Sequence, residues 1–208
     1  MVTQASTTQT GTPSSAKSKH DPLAAIRPDM NQLNEVIRQT LHSEVPLVNQ
    51  ISEYLISAGG KRLRPAIHLL LTRALQNACP HSAYTLAAVV EFIHTSTLLH
   101  DDVVDESDLR RGRQTANAMF GNAASVLVGD FLYSRSFQMM VSVQSMRVME
   151  ILADATNVIA EGEVLQLLNV HDPDVTEARY MQVIHYKTAR LFEASAQLAA
   201  VMSGCTAE

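Results

Sequence analysis

The sequence predicts an all-α chain, and three observations carry that prediction. Glycine and proline are sparse, at 8 and 7 of 208 residues. Apolar residues recur at spacings of three and four over long segments, as they do in helices with one buried face. No stretch shows the sustained apolar–polar alternation, bounded by hairpin turns, that marks a half-buried strand.

Residues 1–28 read as a disordered tail. The first twenty are rich in Thr, Ser and Gln, lack the apolar core of a secretory signal, and carry too little apolar surface to offset ordering. The helical domain spans residues 29–208. Asp29 is expected to cap a first helix over Met30–Leu41. A second runs from Val45 to Ala58 and stops at Gly59-Gly60. A third starts after Pro65, a residue tolerated in a first turn, and reaches Asn77. Ser82 is expected to cap a fourth helix ending near Asp105, followed by a polar loop over 107–113. A fifth helix covers Ala123–Val141 and a sixth Met146–Val170. Asp172-Pro173-Asp174 breaks the chain, and Thr176 caps a seventh with Arg179–Met202 as its body, stopped by Gly204.

Composition narrows the function. Hydrophobic residues are 46% of the chain, enough for a sizeable core. The net charge of -5 argues against nucleic acid as a partner and against a polybasic membrane patch. No apolar run reaches the length of a transmembrane segment. Cys79 and Cys205 stand far apart without metal spacing, which fits reduced thiols in a cytoplasmic protein.

The chemistry concentrates at the end of the fourth helix. Asp101, Asp102, Asp105, Glu106 and Asp108 fall within eight residues and are followed by Arg110, Arg111 and Arg113. His94, Thr97, Asp101, Asp105 and Asp108 are spaced 3, 4, 4 and 3 residues apart, which places them on one helical stripe. Like charges at i and i+4 cost an isolated helix roughly 0.2–0.5 kcal/mol per pair. An acidic pair at the end of so dry a helix therefore implies a compensating cation. Oxygen-only ligands suit magnesium, which usually arrives with substrate phosphates. The reading without chemistry, a solvated acidic helix end, leaves the apolar approach unexplained.

A second stretch, Gly59-Gly60-Lys61-Arg62-Leu63-Arg64-Pro65, sets three cations between a double glycine and a proline. Glycines let an anion approach the backbone, and the helix beyond offers free amides. Arg64 can grip a phosphate bidentately and Lys61 can act as a point charge. Alone it is equally an exposed basic turn; beside an acidic metal motif it points to diphosphate. His94 is expected to face the same cavity, Gln166 to reach it, and His100 to be structural.

In their order along the chain, Gly59–Pro65, His94, Asp101-Asp102-x-x-Asp105 with Arg110 and Arg111, Gly129-Asp130, Gly162-Glu163 and Lys187-Thr188 resemble the motifs of trans-polyprenyl diphosphate synthases. The wording of 98–108 and 120–131 is most similar to the bacterial octaprenyl branch of that family. The resemblance runs from about Asn31 to the last residue. It implies an isoprenoid synthase-type helical bundle around a central cavity and a homodimer. It implies a prenyltransferase that condenses isopentenyl diphosphate with an allylic diphosphate such as farnesyl diphosphate. The product expected is a long all-trans, octaprenyl-like diphosphate for quinone side chains. Asp101, Asp102, Asp105 and Lys187 would be catalytic, with Asp101 and Asp105 as magnesium ligands. Lys61, Arg64, His94 and Arg111 would bind isopentenyl diphosphate; Arg110, Lys187 and Thr188 would bind the allylic substrate.

Short-product members of the family carry an aromatic residue one turn before the aspartates. Here Ser96 and Thr97 are small, so a long product is expected; Ile93 and Phe92 are the next bulky residues down the helix, and Met139 and Met140 are expected to close the far end. The family also has a second Asp-rich motif in a later helix, and none occurs up to Glu208. The expectation is a synthase bundle truncated at its C-terminus, with little activity from these 208 residues alone. A non-catalytic subunit pairing with a full-length synthase is the alternative, disfavoured by the intact first motif. A ferritin-type metal bundle would need two Glu-x-x-His pairs, and only Glu91–His94 has that spacing.

Overall fold

Ala87, Ala88, Val89 and Val90 are four consecutive residues without solvent exposure. A helix apolar on every side can only lie in the middle of a bundle. In the computed structural model of this chain, which describes residues 23–205, the helix carrying them is α4 (His81–Val104). Around it pack α1 (Arg27–Leu41), α3 (Leu63–Gln76), α6 (Asn122–Ser142) and α9 (Arg190–Met202). α2 (Pro46–Ser57) and the short α5 (Ala116–Phe120) meet at one end, while α7 (Met146–Leu168) packs against α9 and α8 (Glu177–Ile184) against α7. The expected all-α bundle is therefore present.

Several boundaries differ from expectation for identifiable reasons. Residues 1–22 of the expected tail lie outside the described residues. Residues 24–28 are folded: a 3₁₀ turn, Ala24–Ile26, buries Ile26 completely and leads into α1. Asp29 is therefore inside the first turn of α1 and not its cap. Its buried carboxylate accepts from Arg73 Nη1 at 2.5 Å and from the Tyr84 hydroxyl at 2.9 Å, tying α1 to α3 and α4. Burial and that hydrogen bond push the Tyr84 hydroxyl up to about 12. α3 begins two residues before Pro65, which costs nothing because first-turn amides have no helical partner. Pro80, and not Ser82, stands at the start of α4, and no side chain caps it.

The expected polar loop at 107–113 is a small hairpin. Leu109–Arg110 (β1) pairs antiparallel with Arg113–Gln114 (β2) around Arg111-Gly112. Both turn residues have positive φ, +54° and +77°, as a tight two-residue hairpin requires. The single expected seventh helix is three pieces: α8, capped by Thr176 as anticipated, a π-helical turn over His185–Ala189, and α9. Gly204 ends α9 with φ +74°, and the Cys205 amide reaches back to the Ala200 carbonyl at 3.0 Å.

α4 and α6 are packed almost backbone to backbone. Ser96 Oγ donates to the Gly129 carbonyl at 2.8 Å, and Ser125 Oγ donates to the Leu99 carbonyl at 3.1 Å. A Cβ on Gly129 would lie 2.4 Å from His100 Nε2, so a side chain there would have to displace the imidazole. His100 meets the Val126 carbonyl at 3.2 Å and Asp130 at 3.3 Å, in keeping with a structural role. Met139 and Met140 are buried in the core and do not close the far end of the cavity lined by Ser96 and Thr97.

His68 joins α3 to α9 without any exposure, its Nδ1 3.0 Å from the Ser195 carbonyl. Burial lowers its pKa to about 4, so the ring is neutral at pH 7. A depressed folded pKa means the proton binds more tightly in the unfolded chain. The stability concerned is intact above about pH 6.5 and is lost as pH falls through 4. The loss is expected to be on the order of 3 kcal/mol. Urea unfolding at pH 7 and pH 4 should show it, and His68→Gln should flatten that part of the profile. An unchanged slope in the variant would refute the assignment.

Candidate functional site

α4 delivers two groups of residues about 10 Å apart along its axis, from a rise of 1.5 Å over seven residues. Near Glu91 and His94 lies a basic cavity; at Asp101 and Asp105 lies an acidic one.

The basic cavity, about 550 Å³, is lined by Gly60, Lys61, Arg62, Arg64, Glu91, His94, Arg111 and Phe192. Three devices aim its arginines. Arg62 begins α3 with φ +45° and is held by Asn34 of α1, with Glu91 3.9 Å from its Nε. Arg64 lies over the Phe192 ring at 4.4 Å, its buried Nε without a hydrogen-bond partner. Arg111 reaches from the hairpin turn to donate to the Gly59 carbonyl at 2.8 Å. A Cβ on Gly60 would sit 2.7 Å from Arg111 Nη1, so this glycine is space for the guanidinium. Burial, reinforced by Arg64 and Arg111, lowers the His94 pKa to about 3. The imidazole is neutral and offers one donor and one acceptor. Burial raises the Glu91 carboxyl against the opposing pull of Arg62, Arg64 and Arg111. Drawn into this arginine cluster, Glu91 does not serve as half of a ferritin-type ligand pair with His94.

The acidic cavity, about 500 Å³, lies between α4, α6 and α7. Asp101, Asp105 and Glu163 stand at its mouth; Ile93, Ser96, Thr97, Tyr133, Thr156 and Ile159 are among its walls. Gln166 lines it as expected. Lys187 Nζ enters from the π-helical turn, 3.3 Å from Asp101 and 2.5 Å from Glu163. Partial burial raises both carboxyls against the opposing pull of Lys187, with neighbouring carboxylates adding to the rise. Burial alone would lower the Lys187 pKa, but Glu163 and Asp101 outweigh it and raise it.

The structure thus gathers Asp101, Asp105 and Lys187 at one mouth, and Lys61, Arg64, His94 and Arg111 around the other cavity. Ser96 and Thr97 both line the apolar wall, but Ser96 is 1% exposed and committed to the α6 backbone. Thr188 is exposed on the π-helical turn beside Lys187. Phe92 faces the opposite side of α4, toward a narrower cavity. Asp108 leaves the expected stripe because α4 ends at Val104 and Glu106 turns with φ +50°.

Asp102 and Arg110 are paired with each other. A helix turns 100° per residue, so Asp102 cannot share the face of Asp101. Its buried carboxylate takes Arg110 Nε at 3.0 and 3.1 Å and Arg110 Nη2 at 2.7 Å. The pair pins the hairpin, and with it Arg111, to the end of α4. Breaking a buried pair costs about 3–5 kcal/mol. With Arg110 half-buried, water recovers part of that. Asp102→Ala is therefore expected to lose about 2 kcal/mol of stability, read as a lower denaturant midpoint. A midpoint within error of the parent would show the pair to be inconsequential.

Arg62, Glu91, Glu163 and Phe192 were not among the expected site residues. Glu163 stands next to Gly162, which did carry a motif signal. Phe192 has no local signal, since only the fold brings it to Arg64.

Among the described residues, no group of three or more His, Cys, Asp and Glu side chains is arranged to hold an ion alone. Asp101 and Asp105 do suit a small hard cation whose remaining ligands are phosphate oxygens. Lys187 already shows that a positive charge is accommodated between Asp101 and Glu163.

Residues 45–208 match the Polyprenyl synthetase family. Octaprenyl diphosphate synthase of Escherichia coli (strain K12) is 60% identical over 180 residues, covering 86% of this chain and 55% of that protein. The crystal structure of a decaprenyl diphosphate synthase from Rhodobacter capsulatus superposes with a TM-score of 0.85 at 50% identity, covering 88% of this chain and 57% of that one. A polyprenyl synthase from Caulobacter crescentus CB15, solved in complex with calcium and isoprenyl diphosphate, gives a TM-score of 0.83 at 48% identity, with coverages of 88% and 55%. The chain spans about half the length of the curated relatives it matches. With its fold, its two cavities and these matches in agreement, the chain belongs to the polyprenyl synthetase family.

Proposed function

We propose that this chain carries the substrate-holding face of a trans-polyprenyl diphosphate synthase. The reaction is condensation of isopentenyl diphosphate with an allylic diphosphate, farnesyl diphosphate in the first instance. The product is a long all-trans, octaprenyl-like diphosphate of the kind used for quinone side chains. One observation carries the reading: an acidic mouth with a single lysine opens onto an apolar cavity, two helical turns from a cluster of cations. A ligand with a diphosphate head, an apolar tail and a second diphosphate partner matches that layout. The named relatives support it.

In this reading Asp101 and Asp105 would hold magnesium, which would supply positive charge to the leaving diphosphate. Lys187 donates to the same phosphate oxygens from the opposite wall, and its charge is worth most where charge develops. Lys61, Arg64 and Arg111 fix isopentenyl diphosphate, with neutral His94 supplying a hydrogen bond. The allylic C–O bond breaks, the isopentenyl double bond attacks the carbon released, and a proton passes to the departing diphosphate. No protein nucleophile is required. The apolar wall below keeps water from the cation and receives the growing chain.

The working form is proposed to be a cytoplasmic homodimer. Leu127 and Val141, exposed along α6, support self-association. No helix among the described residues is long and apolar enough to cross a membrane. The test is incorporation of labelled isopentenyl diphosphate into solvent-extractable product with farnesyl diphosphate and magnesium. It is run on this chain alone and on this chain mixed with the remaining part of the Escherichia coli relative. No incorporation in either arm, with both parts folded, would refute the reading.

A further inference from the structure

The last segment of the chain reaches the acidic mouth by an unusual route. A π-helical turn adds a residue to a helix and rotates the turns before it against the turns after it, and such insertions often sit at functional sites. Here the turn, His185–Ala189, carries Lys187. It lies against Gly162 of α7, which is buried. A Cβ on Gly162 would be 2.8 Å from the Lys187 backbone nitrogen, 2.8 Å from Tyr186 Cβ and 3.1 Å from the Tyr186 carbonyl carbon. Two of these neighbours are backbone, so no rotamer change relieves the clash. The next residue of α7 is Glu163, whose carboxylate is 2.5 Å from Lys187 Nζ.

We propose that Gly162 is a positioning residue for Lys187. Its missing side chain lets the π-helical turn rest on α7, and that contact sets the depth at which the ammonium stands between Asp101 and Glu163. An alanine there lifts the turn off α7 and draws Nζ back from the place where the allylic diphosphate is bound. This inference rests on the functional reading above and adds a residue that touches no substrate. Gly162 also explains itself chemically: a mid-helix glycine costs about 1 kcal/mol relative to alanine, so it needs a compensating contact.

The test is a double-mutant cycle on the 208-residue chain, titrated calorimetrically with farnesyl thiodiphosphate in magnesium buffer. Gly162→Ala is expected to weaken binding about tenfold, within the range that small misplacements produce. Lys187→Ala should weaken it at least as much. The double variant should bind within about twofold of Lys187→Ala, because residues acting through one group are not additive. Additive losses would overturn the proposal, since a packing defect lowers affinity whether or not the lysine is present. Should Gly162→Ala fail to fold, Tyr186 decides the matter. Tyr186→Ala keeps the Cβ that meets Gly162 and should bind within about twofold of the parent, whereas Tyr186→Gly removes it and should bind severalfold more weakly. Equal affinities in that pair would overturn the proposal. No binding by the unsubstituted chain would refute the functional reading itself, and the role of Lys187 with it.

Discussion

Asp101→Asn is expected to reduce magnesium-dependent turnover of an allylic diphosphate at least about a hundredfold, the scale of removing one preorganised charge-stabilising group. Asparagine keeps the size of the side chain and can still accept from Lys187, so the helix end should hold its shape. What is lost is one of the three carboxylates at the mouth, and one of the two on α4. Asp105→Asn should act in the same direction. Asp102→Asn provides the contrast within the same motif, because that carboxylate is turned to Arg110 and away from the cavity. Its effect should appear in the denaturation midpoint before it appears in turnover. The measurement is the initial rate of labelled isopentenyl diphosphate incorporation, with the chain supplemented by the remaining part of the Escherichia coli relative. Equal losses at 101 and 102 would contradict the division of labour between them.

Thr97→Phe is expected to shorten the product to about farnesyl or geranylgeranyl length. Thr97 lines the apolar wall, half-buried, one turn before Asp101, and its hydroxyl bonds only to the His94 carbonyl in its own helix. In the proposed reading, a benzyl group there would project across the path of the growing chain without displacing another helix. Ser96→Phe, which the sequence presents as its equivalent, should behave differently. Ser96 is wedged against the Gly129 backbone, so an aromatic ring must force α4 and α6 apart. Overpacking of this kind costs about 1–3 kcal/mol and often more for so large a change. Chromatography of dephosphorylated products, alongside thermal unfolding, separates the two outcomes. An unchanged chain length in a folded Thr97→Phe variant would refute the assignment of this wall.

Most of the helices were legible in the sequence because burial writes itself as periodicity. The body of α4 is apolar on all sides, and the Thr176 cap sits where a capping residue should. The hairpin at 109–114 was not legible, since its turn uses Arg111 at positive φ, a residue without turn preference. Nor was the π-helical turn, because one extra residue shifts helical phase without changing composition. The acidic pair and the glycine-framed cations were legible as unbalanced charge. The pairing of Glu163 with Lys187 and of Phe192 with Arg64 was not, because tertiary packing alone brings them together. Helical phase separates Asp101 from Asp102, and Asp102 is absent from the stripe read from the sequence.

The close seating of α4 on α6 bears on how a length could be measured at all. Protein interiors at crystal-like density yield little to pressure from within. The wall that holds Thr97 and Ile93 is braced by two serine-to-backbone hydrogen bonds and by a glycine with no space to spare. Such a wall does not swell as its contents lengthen. Whatever gradation this chain imposes on a growing tail is therefore written in fixed side chains, and single substitutions should move it in steps.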